Sequence, residues 1–320
     1  MYQRFCLMTE VICVGFFGDG PWAHRALETI LEGGLARIVF VCIRHGAPDE
    51  VLRRRAEELG VPVFLDPSVN DPAVVERFKS FSCDLFVSVS FDQILKAPIR
   101  QASRLGFINC HAGALPFYRG RSVLNWAILN GQEQFGVTVH VVDDGIDTGD
   151  IIVQRFAPIG PDDTYADILP VAYDLCGRAV GEAVALLATG QAKRVPQETI
   201  HPVGFYCTQR GPGDEWIDWS WPTQQIHDFV RALTPPGPGA RCRAGDRTFA
   251  LTRCGLVPQA PRYIGIPGAV VGRGNGVTIK TGDTVLHVSE VREVGADGSL
   301  GEPWVPSWRI GLRLAGGPRG

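Results

Sequence analysis

From residue 11 to about residue 200 the chain alternates short apolar runs with segments of helical period, and no other feature of it restricts the fold as strongly. VICVGFF (11–17), ARIVFVCI (36–43), VPVFL (61–65), DLFVSVS (84–90), LGFINC (105–110) and GVTVHVVD (136–143) read as buried strands by their β-branched and aromatic content. Between them, PWAHRALETILEGG starts a helix at Pro21 and ends it at Gly33-Gly34, and PDEVLRRRAEELG and DPAVVERFKSF repeat the pattern. Strand–helix alternation predicts an α/β, doubly wound, mostly parallel sheet whose ligands gather outside the carboxyl ends of its strands.

A long helical segment, residues 162–190, follows, with Asp162 or Asp163 as its cap and Gly190 at its close. Ile168, Ala172, Leu175, Val180, Ala183 and Leu187 make its buried stripe, and Pro170 predicts either a kink or a separate first turn. Beyond residue 200, glycine and proline rise and strand candidates such as RTFALTRC, GAVVG, GVTIKT and TVLHVSEV come in quick succession. The expected organisation is a catalytic domain at 1–203, a linker and helix at 204–233, and a small β domain at 234–320 with a frayed terminal RLAGGPRG.

Composition narrows the function classes. A net charge of -3 is not that of a polyanion-coating protein, so nucleic acid is not suggested by charge. MYQRFCLMTEVIC has no leader pattern and no run approaches the ~20 apolar residues that cross a bilayer, so a cytoplasmic protein is expected, without a membrane partner. Nine cysteines without a C-x-x-C pair read as reduced buried thiols, and no metal site is expected. The glycines of VGFFGDGPWAHRAL do not fit G-x-G-x-x-G, so a tight structural turn is favoured there over a dinucleotide site.

Two strand-then-loop segments carry chemistry: FINCHAGALPFYRG, with Asn109 and His111 one residue apart, and FGVTVHVVDDGIDTGDII, with Asp147 between Gly145 and Gly149. In a parallel sheet both loops would open on one edge, bringing Asn109, His111 and Asp147 together. A histidine can take a proton from an attacking amine, a carboxylate can orient that imidazole, and an amide N–H can bond an oxygen that becomes negative. Strand alternation turns Cys110 to the opposite face. Taken alone, the two loops equally fit a hydrogen-bonded strand terminus. His140, inside a strand, reads as a satisfied core histidine, and Trp216, Trp219 and Trp221 as packing between the domains.

The stretch FINCHAGALPFYRGRSVLNWAILNGQEQFGVTVHVVDDGIDTGDII resembles the catalytic core of the folate-dependent formyltransferases: Asn-x-His, a loop ending Leu-Pro, Tyr-Arg-Gly, then Asp-x-Gly-x-Asp-x-Gly. VSVSFDQIL (87–95) resembles the family's folate-holding strand and turn. IDW, VRAL and GPGA resemble the link and entry to its carboxyl-terminal domain, so the resemblance covers most of residues 11–290. It implies a Rossmann-like formyltransferase domain, a C-terminal β-rich, OB-like domain, and N10-formyltetrahydrofolate as co-substrate. Asn109 would bond the formyl oxygen, His111 would stabilise the tetrahedral intermediate or relay its proton, and Asp147 would orient His111. Thr138 matches a position that supports a bound water in relatives. The pterin would lie against Phe91, Asp92, Gln93, Ile94 and Leu95 and against Val142, Asp143, Asp144 and Gly145. The acceptor would lie against Tyr118, Arg119, Gly120 and Arg121.

The acceptor itself is narrowed by resemblance and charge together. Members acting on methionyl-tRNA usually carry a basic, glycine-rich insertion after the second strand, whereas IRHGAPDEVLRRRAEELG here is net neutral. Residues 201–320 hold 13 Arg plus Lys against 10 Asp plus Glu, a slight excess for phosphate-backbone binding. HAGALPFYRGRSVLNWAILNG and SFDQIL look closer to the sugar-nucleotide N-formyltransferases, although the terminal domain is longer than in many of those. The expected acceptor is the amine of a dTDP-linked amino deoxy sugar. A hydroxyornithine-type amine stands second and methionyl-tRNA third, and a homodimer stays open.

Overall fold

A computed structural model describes residues 11–317. The first elements are β1 (Ile12–Gly18), α1 (Gly20–Glu32), β2 (Ala36–Cys42), α2 (Glu50–Glu58), β3 (Val63–Phe64), α3 (Pro72–Ser80) and β4 (Leu85–Val89). Next come α4 (Ala97–Arg100), β5 (Phe107–His111), β6 (Arg119–Gly120), α5 (Val123–Leu129), β7 (Gln134–Val141), β8 (Ile151–Pro158) and α6 (Tyr165–Ala188). After β9 (Tyr206–Cys207) follow α7 (Thr223–Leu233), β10 (Ala240–Ala244), β11 (Arg247–Leu256), β12 (Val270–Gly274), β13 (Gly276–Lys280), β14 (Val285–Val294) and β15 (Leu300–Trp304). By backbone proximity the chain divides into two compact units. One takes the residues up to Gly120, Phe135–Ala157 and Val171–Tyr206; the other takes Arg121–Gln134, Pro158–Pro170 and the residues from Cys207 on.

The first unit is built on a seven-stranded sheet in the order β3-β2-β1-β4-β5-β7-β8. β1 pairs in parallel with β2 and β4, β2 with β3, and β4 with β5, as the strand–helix alternation predicts. The sheet is therefore mixed, not wholly parallel, because β7 runs antiparallel to β5 with Asn109 opposite His140 and His111 opposite Thr138. This overturns the expectation that the loops after β5 and β7 open on one edge: a strand reversed in direction delivers its following loop to the other edge. Strand order turns back between β1 and β4, which places the segment after β4 at the topological switch point where such sheets bind ligands. Gly15 of β1 is a packing glycine, since a Cβ there would stand 2.4 Å from the Phe40 ring and 2.8 Å from that of Phe86. Phe17, at the centre of that aromatic cluster, has ring centroids of Phe40, Phe78, Phe86, Phe91 and Phe107 within 5.0–5.7 Å.

α6 runs through Pro170, and its expected stripe is buried, from Ala172 at 0% to Leu187 at 8% exposure. Its cap is neither Asp162 nor Asp163. Thr164 and Asp167 form a reciprocal pair, the Asp167 carboxylate accepting from the Thr164 N–H at 2.9 Å and from its hydroxyl at 2.6 Å. Asp163 instead accepts from the Gly160 N–H.

In the second unit, β10-β11-β14-β13-β12 form an antiparallel sheet with β15 on β14. Arg243 in β10 bridges Ala315, and Ala269, just before β12, bridges Arg313, so the tail spans the sheet's two edges. Leu314, between those bridges, is buried. The expectation of a frayed RLAGGPRG fails for residues 313–317; residues 318–320 lie outside the described residues, as do residues 1–10. The tryptophans are accounted for inside this unit: Trp219 is buried in its core with Trp221 packed against it, and Arg243 lies over the Trp216 ring. Among the described residues no helix is long and apolar enough to cross a membrane.

Candidate active site

Asn109 and His111 alternate along β5 and so share one face, while Cys110 points away, its sulfur 3.1 Å from that of Cys176 on α6. Burial pushes the Cys110 thiol well above its ordinary value, and the neighbouring Cys176 adds to the shift, which leaves it unsuited to act as a thiolate nucleophile.

His111 is held by the loop that follows it. Its Nε2 lies 2.6 Å from the Tyr118 carbonyl oxygen, which can only accept, so Nε2 carries the proton and Nδ1 is the basic nitrogen of the neutral ring. This contact requires Gly113: a Cβ there would stand 2.4 Å from the Tyr118 oxygen and 2.5 Å from His111 Nε2. Thr138, paired with His111 across the strands, is bonded to protein groups on every side. Its fully buried hydroxyl donates to the Gly113 carbonyl at 2.7 Å and accepts from the Leu115 N–H and the Gln154 amide, which uses all its bonding capacity.

His140 joins the site, a role the sequence reading gave it no part in. Its Nδ1 donates to its neighbour's carbonyl, Val141 O, at 2.8 Å, so Nε2 is free to accept from Asn109 Nδ2 at 3.4 Å. It is buried and partnered as a core histidine should be, yet the antiparallel register turns it onto the face of Asn109. That register was the signal that could have found it.

Asp147 reaches the site by a hairpin. Residues 142–150 turn back between β7 and β8, closed by the Val141 N–H to the Asp150 carbonyl, and Gly149 is so close that a Cβ would stand 1.9 Å from Val141 O. Asp147 is left-handed at φ 54, a conformation costing about 1–3 kcal/mol for a non-glycine residue. Its Oδ2 accepts from the Gly120 N–H at 2.9 Å and lies 3.5 Å from His111 Nδ1; its Oδ1 lies 3.5 Å from His140 Nε2. Burial alone would raise the Asp147 carboxyl, but the contact with His140, the charge of both imidazoles and the Gly120 N–H outweigh it and hold the group at about 2. Burial lowers His111 below the ordinary 6.5, with Asp147 and the Tyr118 carbonyl opposing and His140 reinforcing. At neutral pH the pair is an anion beside a neutral imidazole.

The segment carried over for the pterin lies after β4 and is anchored from within. Gln93 spends its amide on the Val69 N–H and the Asp66 carbonyl, Asn70 holds Ile94 O and Lys96 N, Leu95 is buried, and Phe91 packs on Phe17. Asp92 faces Arg44 at 4.0 Å, and the Ile94 side chain is exposed. In the second segment the Val142 N–H bonds Phe107 O, Asp143 accepts from the Gly145 N–H and the Thr148 hydroxyl, and Asp144 pairs with Arg100. Gln93 alone turns its polar group into the protein; Asp92, Asp143 and Asp144 keep exposed carboxylates.

Of the residues carried over for the acceptor, Tyr118 gives its carbonyl to His111 and Gly120 its N–H to Asp147. Arg119 donates to Gln197 Oε1 at 3.1 and 2.7 Å and lies over the Tyr206 ring, and Arg121 donates to Gln209. Gln197, buried and 50 residues from Asp147, bonds the Asp147 and Gly149 carbonyls at 2.9 and 2.8 Å. A lone glutamine opening a short 3-10 turn (Gln197–Thr199) carries no sequence signal for such a contact. Among the described residues no group of three or more His, Cys, Asp or Glu is placed to hold a metal ion.

Comparison with known proteins identifies the family. Residues 11–174 match the family model described as formyl transferase, and residues 211–301 match the formyl transferase C-terminal domain. The methionyl-tRNA formyltransferase of Symbiobacterium thermophilum is 32% identical over 290 residues, covering 88% of this chain and 87% of that protein. That of Geotalea uraniireducens is 36% identical over 266 residues, covering 81% and 83%. In fold, the chain is similar to WlaRD, a sugar 3N-formyl transferase solved with dTDP and 5-N-formyl-THF, at TM-score 0.64 and 20% identity over 87% of this chain and 98% of that one. HypX of Aquifex aeolicus, solved with tetrahydrofolic acid, gives TM-score 0.60 and 20% identity over 89% and 45%.

Proposed function

The chain belongs to the formyl transferase family, and on that premise we propose that it moves a formyl group from N10-formyltetrahydrofolate to the primary amine of a nucleotide-linked amino deoxy sugar. The observation that carries the chemistry is the meeting of Asn109, His111 and Asp147, with His140 behind them, beside the switch point of the sheet. One N–H of the Asn109 amide is engaged by His140, which leaves the other to bond the formyl oxygen as it gains charge. The amine nitrogen bonds to the formyl carbon and passes its proton to His111 Nδ1; the bond to N10 then breaks as N10 takes that proton. Asp147, anionic 3.5 Å from Nδ1, stabilises the imidazolium that exists between the two transfers. Holding both substrates in place supplies a further share of the barrier reduction, roughly 7–11 kcal/mol in favourable cases. Phe91, Asp92, Gln93, Ile94 and Leu95, with Val142, Asp143, Asp144 and Gly145, hold the pterin. Tyr118, Arg119, Gly120 and Arg121 border the acceptor.

Because His111 must be neutral to accept the proton and burial holds it below 6.5, kcat is expected to fall towards acid with a midpoint below 6.5. The same burial makes the folded state lose stability as pH falls below 6.5, since the unfolded histidine binds its proton first. A kcat–pH profile at saturating substrates checks the assignment, and an acid limb centred above 6.5 contradicts it.

What supports a small acceptor is charge. In the segment after β2, Arg53 pairs with Glu50 and Arg55 with Glu28 and Glu58, which leaves little free positive charge for an acceptor stem. Methionyl-tRNA is the second reading, favoured by the names of the 32–36% identical relatives. A cytoplasmic setting fits either acceptor. Purified protein given 10-formyltetrahydrofolate with dTDP-amino sugars, hydroxyornithine or methionyl-tRNA, and read by mass spectrometry, is expected to formylate the sugar amine. Formylation of tRNA alone overturns the sugar reading.

A further inference from the structure

We propose that Gln197 is a positioning residue for Asp147, and that it ties the loop carrying Arg119 to the hairpin that presents the catalytic carboxylate. The proposal rests on the formyl-transfer reading above. Val195, two residues earlier, exchanges both backbone bonds with Ile151 at 2.9 Å, which fixes the coil at the end of the hairpin. Gln197 then enters the protein at 2% exposure. Arg119 donates to Oε1 through Nε and Nη2, so the amide cannot be flipped, and Nε2 is committed to the carbonyls of Asp147 and Gly149. Those two carbonyls lie on the C-terminal side of the left-handed residue whose side chain faces His111. Loss of the Nε2 donors frees the peptide to relax out of its unfavourable conformation, which withdraws Oδ1 and Oδ2 from both imidazoles.

A purely structural glutamine would affect stability, whereas a positioning glutamine also changes what His111 feels. The titratable groups facing His111 are Asp147 and His140. Withdrawal of Asp147 removes the influence that raises His111, so its titration moves to lower pH. Gln197→Met keeps the volume and removes every bond; Gln197→Glu keeps a partner for Arg119 but sets a carboxylate against two carbonyl oxygens.

In the full-length chain both variants are expected to lower kcat on the order of 10-fold with little change in KM for the formyl donor, and to move the acid limb of kcat to lower pH. NMR titration of ring-labelled histidine, with the His111 signal assigned by its loss in His111→Gln, is expected to show the same downward movement without any turnover. That readout separates the two claims: absence of formyl transfer by the unaltered protein fails the function, not the positioning. An unmoved His111 titration in both variants overturns the proposal, as does a fall in kcat with the acid limb in place. Should Gln197→Met fail to fold, Gln197→Glu decides by the same two readings, and a near-unaltered Gln197→Glu overturns it.

Discussion

His111→Ala and Asp147→Asn are each expected to lower kcat by roughly 10²-fold or more while the chain folds normally, a loss of about 2.7 kcal/mol of barrier reduction. His111→Ala removes the only imidazole in the site whose Nδ1 is free of a backbone partner, since His140 gives its own Nδ1 to Val141 O. Asp147→Asn is the finer test. Its remaining oxygen can still accept from the Gly120 N–H, so the hairpin keeps that partner. What disappears is the anion 3.5 Å from His111 Nδ1, and with it the stabilisation of the imidazolium. Steady-state rates at saturating substrates, with circular dichroism and thermal midpoints as folding controls, check both variants. Near-unaltered turnover in either one overturns its assigned role.

These roles were only partly legible in the sequence, for reasons that differ residue by residue. Asn109 and His111 could be placed on one face of a strand end because a side-chain period of two is fixed by the pleat. Asp147 was found for the wrong physical reason: β7 is antiparallel, and the carboxylate arrives because a glycine-lined hairpin doubles back. No local pattern distinguishes these cases, since GVTVHVVD reads as the same buried strand in either direction. Direction is set by the connection, and α5, only seven residues long, did not stand out as an element in VLNWAIL. β8 was missed because its burial is irregular, with exposed Arg155 and Phe156 breaking the apolar run of IIVQRFAP. His140 was legible as buried but not as part of the site, because its place there depends on that same strand direction. Gln197 was not legible at all, because its partners are backbone carbonyls 48 and 50 residues away and a backbone carbonyl has no sequence signature.

Gly113→Ala is expected to lower kcat about as far as His111→Ala does, although it adds one methyl group and removes no functional atom. The added Cβ would stand 2.4 Å from the Tyr118 carbonyl oxygen, 2.5 Å from His111 Nε2 and 2.9 Å from Cδ2 of the same ring. Separations under 3.0 Å have to open, and the obstacles here are a backbone carbonyl and a ring, not the end of a flexible side chain. The loop cannot yield cheaply, because the Gly113 carbonyl accepts from Thr138 Oγ1 and the Leu115 N–H donates back to the same oxygen. The bond that gives way is therefore His111 Nε2 to Tyr118 O, the one that sets the tautomer and leaves Nδ1 as the base. Overpacking of this kind costs typically 1–3 kcal/mol, so the thermal midpoint should fall by several degrees without loss of the fold. Gly46→Ala, at an exposed glycine with nothing within 4 Å of the added carbon, is the matched control and should stay within about twofold of the unaltered kcat. If Gly113→Ala retained full activity with Gly46→Ala, the Tyr118 carbonyl would not be what fixes His111, and the proton path through Nδ1 would have to be abandoned.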